Sequence, residues 1–154
     1  MIQLILARHA KSDWADEGLD DHDRPLNDRG RRDALAMARA VLRRGVRPEV
    51  LLSSTAVRAR TTADAFAEEF EVDVTEDAAL YLAEADGLLD AARSSGAREV
   101  MIVAHDPGMS ELVSRLAARE VRMVTSAVAI LTWHEGEWTD VGSTPPDEVE
   151  LLTP

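Results

Sequence analysis

The chain has 154 residues and no cysteine. Disulfides, thiolate metal sites and any reaction driven by a cysteine nucleophile are therefore excluded. No stretch approaches the roughly 20 apolar residues needed to cross a membrane. The apolar run at the start is too short for a secretory signal and has no basic region before it. No internal repeat or linker marks a second domain, so one domain over 1–154 is expected, with about 143–154 (Pro145-Pro146 through Pro154) as a C-terminal tail. Positive charge is scarce: 17 Lys and Arg against 29 Asp and Glu leave a net charge of −12. Such a balance argues against nucleic acid or an anionic membrane as a partner. With 45% hydrophobic and 30% charged residues, the composition is that of an ordinary compact domain, expected to be cytoplasmic.

What is present is concentrated at three strand ends. The short apolar run Ile2–Ala7 reads as a buried parallel strand and delivers Arg8-His9 at its carboxyl end. Open α/β sheets bind ligands at that edge. A guanidinium offers a rigid fork of donors to phosphate oxygens, and an imidazole can serve as nucleophile or proton carrier. The run Val50-Leu51-Leu52 gives way to Ser53-Ser54-Thr55, residues of the kind that cap helices, and then to a helical pattern with Arg58 in its first turn. That positive dipole end itself favours anions. Val100–Ala104 ends in His105, and Pro107 suits the opening of the next helix. If these strands are neighbours, the three ends form a cationic cradle. Because the molecule as a whole is acidic, the cradle must be a sharply local field, with salt screening the rest over about 8–10 Å.

The order and content of these motifs resemble the histidine phosphatase (phosphoglycerate-mutase-like) superfamily. Arg8-His9-Ala10 resembles its Arg-His-Gly/Ala signature, Ser53 through Thr62 its Ser-x-x-x-Arg-Ala-x-x-Thr segment, and Ala104-His105-Asp106-Pro107 its second histidine segment. Arg24-Pro25-Leu26-Asn27-Asp28-Arg29-Gly30 and Thr125-Ser126-Ala127 resemble the small bacterial phosphohistidine phosphatases of the SixA type. The likeness spans residues 2 to about 133. It implies catalysis without a metal or cofactor, with His9 as nucleophile, and with Arg8, Arg58 and His105 on the phosphoryl oxygens. Arg24 would add a third guanidinium if its loop folds back over the strand ends.

Many members of the family also carry a carboxylate that protonates the leaving group. Glu84 is the best positional candidate here, with Asp86 and Asp106 behind it, though none sits in a distinct motif. Alkoxide departure from a phosphate monoester depends on such an acid, whereas imidazole, whose conjugate acid has a pKa of about 6.5, leaves readily without one. The expected substrate is therefore phosphohistidine on a protein, for example a histidine-containing phosphotransfer domain. Small phosphate monoesters are the alternative, and a catalytically weak phosphate-binding module is the alternative of another class. Lys11 and Ser12 are either phosphate contacts or a solvated lysine and a capping serine. Asp20-Asp21-His22-Asp23 has no spaced histidine partner for a metal and reads as an exposed acidic loop. His134 is expected to be exposed, and Arg60 to be structural.

The alternation of elements predicts a three-layer α/β/α sandwich with a mainly parallel sheet. Strands are expected near 2–7, 49–52, 72–75 and 98–104. Helices are expected near 27–44 (Leu35, Ala38, Val41 and Leu42 inward), 55–70, 84–94 and 107–118. Met123–Trp133 reads as one strand that Gly136 turns into a hairpin with Glu137–Val141, adding antiparallel pairing at one side.

Overall fold

The strand order of the single sheet brings the three motifs together. In the computed structural model, which describes residues 1–154, six strands lie in the order β3-β2-β4-β1-β5-β6. They are β1 (Ile2–Arg8), β2 (Val50–Ser53), β3 (Val74–Glu76), β4 (Glu99–Ala104), β5 (Val128–Trp133) and β6 (Glu148–Leu152). The first four are mutually parallel, while β5 runs antiparallel to β1, and β6 to β5. Register places Arg8 beside Ala104 and Ser53 beside Val103, so the carboxyl ends of β1, β4 and β2 form one edge.

Helices α1 (Asp28–Arg43) and α2 (Val57–Phe70) cover one face, and α3 (Ala85–Arg93) and α4 (Gly108–Ala117) cover the other. Along β1 the side chains alternate between them: Leu4 and Leu6 pack with α3 and α4, Ile5 and Ala7 with α1 and α2. The α/β fold with a mainly parallel sheet is as the alternation predicts.

Three local expectations are corrected. The inward stripe of α1 is Ala34, Met37, Ala38 and Val41, while Leu35 is 38% exposed; the small alanines at this spacing let α1 approach the core closely. Asn27 does cap α1, its side chain accepting from Gly30 N at 2.8 Å. The hydroxyls ahead of α2 do not cap it, because the cap position is Ala56; they bond within the site. Residues 123–127 are not strand, since the chain turns at Ser126 (φ 68°) to pass across the end of β1.

The hairpin also takes a different partner. Glu137–Asp140 closes a short turn in which Asp140 accepts from the Glu137 amide at 2.8 Å. Trp138 Nε1 donates to Ala97 O at 2.7 Å, tying this turn to the body of the domain. The strand that pairs with β5 is Glu148–Leu152, inside the segment expected to be a tail. Its two glutamates and its short length suit an edge strand that must not recruit another chain.

Candidate active site

Arg8, His9, Arg24, Arg58 and His105 line one cavity of about 190 Å³, together with Lys11, Ser12, Trp14, Leu82, Asp106 and Thr125. The sequence-derived cradle is thus assembled, and four of its members, His9, Arg24, Arg58 and His105, are buried. A larger cavity of about 610 Å³ opens elsewhere among Asp147, Glu148, Glu150 and Arg44. Arg44 is paired with Glu150 there, and the acidic lining does not suit a phosphoanion.

His9 is fixed by the loop that it begins. Its Nδ1 lies 2.7 Å from Ala10 O. A carbonyl only accepts, so Nδ1 carries the proton and Nε2 keeps an unshared pair. Thr62 Oγ1 receives the Ala10 amide at 3.0 Å and donates to Arg58 O at 2.8 Å, coupling this loop to the first turn of α2. The His9 pKa is lowered to about 4, first by burial and then by the charges of Arg58, Arg8 and Arg24, against the raising effect of the Ala10 bond. The ring is therefore neutral, as a nucleophile must be.

His105 stands beside it, with ring centroids 5.2 Å apart. Its Nε2 is 2.7 Å from Ser54 Oγ, which also accepts the Ala56 amide at 3.2 Å. With Ser54 donating to Nε2 while it accepts the Ala56 amide, the proton of His105 is left on Nδ1, a buried atom that no protein acceptor reaches. Burial, followed by the neighbouring His9 and Arg58, lowers the His105 pKa to about 3.

The Arg24 loop does fold back. Ser12 and Leu26 form an antiparallel bridge, Asp13 N donates to Pro25 O at 2.8 Å, and Asn27 N to Lys11 O at 3.0 Å. A Cβ on Gly30 would come within 2.1 Å of Lys11 O, so only glycine allows the start of α1 to press against this loop. Arg24 Nη1 donates to Ser12 Oγ at 2.6 Å. Arg8 is held by Met123 O at 2.9 Å and lies 3.8 Å from Asp106. Ser126 N donates to His9 O at 3.1 Å, so the turn at 123–127 forms the back wall.

Asp21 is the functional residue that the sequence reading missed. It lies in the exposed acidic loop as expected, yet its carboxylate accepts from Arg24 Nε and Nη2 at 3.2 and 3.0 Å, and from Arg58 Nη2 at 2.9 Å. Its backbone carbonyl takes Arg58 Nη1 at 2.6 Å, and Tyr81 Oη donates to Oδ2 at 2.6 Å. The Tyr81 hydroxyl first, then the two guanidiniums, hold the Asp21 carboxyl well below the usual carboxylate range. An acidic residue three positions before a phosphate-loop arginine was the available signal. His22 of the same loop reaches Thr55 Oγ1 at 2.8 Å.

The three acid candidates separate. Glu84 is exposed at the cap of α3 and Asp86 is exposed and pairs with Arg115 at 2.5 Å; neither lines the cavity. Asp106 does line it, but accepts Ser110 N at 3.0 Å and Ser110 Oγ at 2.8 Å. Arg60 pairs with Asp64 and Glu76 and has a structural role. His134 is exposed, 3.7 Å from Glu148.

The sequence profile of the histidine phosphatase superfamily (branch 1) matches residues 4–81. An uncharacterized chloroplastic protein of Arabidopsis thaliana is 30% identical over 170 aligned positions, covering 94% of this chain and 78% of its own. The structure is similar to a candidate phosphohistidine phosphatase SixA of Agrobacterium tumefaciens, with a TM-score of 0.82 and 30% identity over 99% of this chain and 98% of that one. A second structure of the same description, from Nakamurella multipartitia, matches with a TM-score of 0.82 and 27% identity over 99% and 96% of the two chains.

Proposed function

Since the chain belongs to the histidine phosphatase superfamily, in its SixA-like branch, we propose that this phosphatase hydrolyses phosphohistidine on a protein through a phosphorylated His9. The observation that carries the reading is the tautomer of His9: Nδ1 spends its proton on Ala10 O, and the free Nε2 pair lines a cavity with three guanidiniums. The pair attacks phosphorus, a new P–N bond forms, and the bond to the substrate imidazole breaks. The departing imidazole keeps that bonding pair and takes a proton from solvent. Water then attacks the phosphorus on His9, inorganic phosphate leaves, and Nε2 regains its pair. Two easier displacements replace one hard one.

Arg8, Arg24 and Arg58 stabilise the charge on the nonbridging oxygens, and His105 stands beside His9 as a further polar group of the cradle. The cavity is smaller than the roughly 300–1,000 Å³ of sites that enclose whole ligands. It therefore takes the reacting end of a larger substrate. The exposure of Glu84, away from the cavity, favours a leaving group that needs no dedicated acid.

Rapid acid-free quenching with a phosphohistidine protein, followed by mass spectrometry, should place the phosphoryl group on His9, and His9→Ala should abolish turnover without unfolding. Full activity in that variant would end the nucleophile assignment. Small monoesters are the second reading, favoured by the one carboxylate at the cavity, Asp106. Fast turnover of an unactivated alkyl phosphate, lost in Asp106→Asn, would put that reading first.

A further inference from the structure

Two exposed apolar side chains line the small catalytic cavity, which is otherwise polar. Trp14 is 67% exposed and Leu82 is 55% exposed. Neither exposure is an accident of a loose loop. Trp14 lies against Arg24, whose guanidinium carbon is 3.4 Å from the ring centroid, so one face of the indole rests on a buried phosphate-binding group. Leu82 is held at φ 53°, a conformation that a bulky residue rarely adopts and that persists where the surroundings impose it. The backbone next to it is closely packed: a Cβ on Gly108 would meet Ala83 O at 2.1 Å.

The polarity outside the cavity fixes the orientation of a substrate. Trp14 and Arg24 also border a neighbouring groove of about 330 Å³ that contains Asp16, Glu17 and Asp21. A phosphoryl group is repelled from that groove and drawn to the arginines of the inner cavity, which leaves the uncharged part of the substrate at the apolar rim.

We propose that Trp14 and Leu82 form a leaving-group subsite that holds a planar ring, which on the reading above is the imidazole of phosphohistidine. The inference rests on that reading for the identity of the ring, and on the geometry alone for the preference for a ring. The second face of the indole takes the ring by offset stacking, and Leu82 packs against its edge. A ring seated there is positioned over the cavity as the P–N bond breaks, and acyl or alkyl leaving groups lack that hold.

The test is binding, so that it does not depend on turnover. Phenylphosphonate and methylphosphonate are titrated calorimetrically into the wild type, Trp14→Ala, Trp14→Phe and Leu82→Ala. Each variant is first checked for a wild-type circular dichroism spectrum. The wild type should prefer the phenyl compound by about 5–10-fold, as one aromatic contact implies. The preference should vanish in Trp14→Ala, survive in Trp14→Phe and shrink in Leu82→Ala. Loss of affinity for both phosphonates in equal proportion would show that Trp14 acts only through Arg24, and would overturn the subsite. In parallel, kcat/KM is measured for a phosphohistidine protein and for acetyl phosphate. Absence of phosphohistidine turnover together with an intact ring preference would remove the proposed substrate and leave the subsite standing.

Discussion

Asp21→Asn isolates the role of the carboxylate that organises the arginines. The substitution keeps the size of the side chain and the backbone bond to Arg58, but turns one acceptor oxygen into a donor facing other donors. It disturbs the contacts with Arg24, Arg58 and Tyr81 at 2.6–3.2 Å. Hydrogen bonds to charged groups are worth about 1.5–3 kcal/mol each when sheltered. The Asp21 side chain is 46% exposed, so solvent screening brings the total down to about 1–2 kcal/mol. For a domain of this size that is a fall in Tm of about 3–6 °C.

The catalytic effect has two opposing parts. Loss of a negative charge makes the cavity more attractive to phosphate, and loss of alignment weakens the oxygen contacts in the transition state. Complete removal of one such donor costs about 10²–10³ in rate. Two arginines that remain but lose their anchor should cost less, so we expect kcat to fall about 10–30-fold while KM changes less than threefold. Steady-state kinetics on an aryl phosphate with a thermal melt measures both. An unchanged kcat, or a loss confined to KM, would refute the positioning role.

In the free protein, NMR titration of the ring protons should give midpoints near 4 for His9 and near 3 for His105, as burial and the arginines dictate. A midpoint near 6.5 for His9 would contradict its seating. Because both folded values lie below the unfolded value of about 6.5, the unfolded state binds more protons, and stability should decline as pH falls from about 6.5 toward 3–4. Chemical denaturation at pH 7 and pH 4.5 should show that decline. Gly108→Ala should destabilise by about 1–3 kcal/mol despite better helix propensity, because its Cβ would meet Ala83 O at 2.1 Å; an equal or higher Tm would refute the close packing.

The sequence by itself determined the parts that depend on local pattern. The unbroken apolar runs of β1, β2 and β4 read as buried parallel strands; β1 and β4 deliver Arg8, His9 and His105 to the cavity at their ends, and β2 leads into the helix turn that carries Arg58. Arg58 and Asn27 were placed by helix-start chemistry, and Arg8, His9, Arg24 and His105 stood in motifs whose spacing is carried by the chain itself. What only the tertiary structure decided depends on contacts across long stretches of chain.

Strand β6 reads as tail because Pro145-Pro146 and Pro154 flank it and its own run is short; its pairing comes from β5, about 20 residues away. Residues 123–127 have the composition of a strand, but Arg8 and His9 take their backbone groups and turn them into a wall. Ser54 and Thr55 look like helix caps, yet bond to His105 and His22, and Thr62 within α2 takes the Ala10 amide, all partners brought near only by the sheet order. Asp21 reads locally as one of several solvated acids. It becomes the anchor of two arginines because η-nitrogens from residues 24 and 58 converge on it, and a carboxylate between two buried cations is where its charge is most favourable.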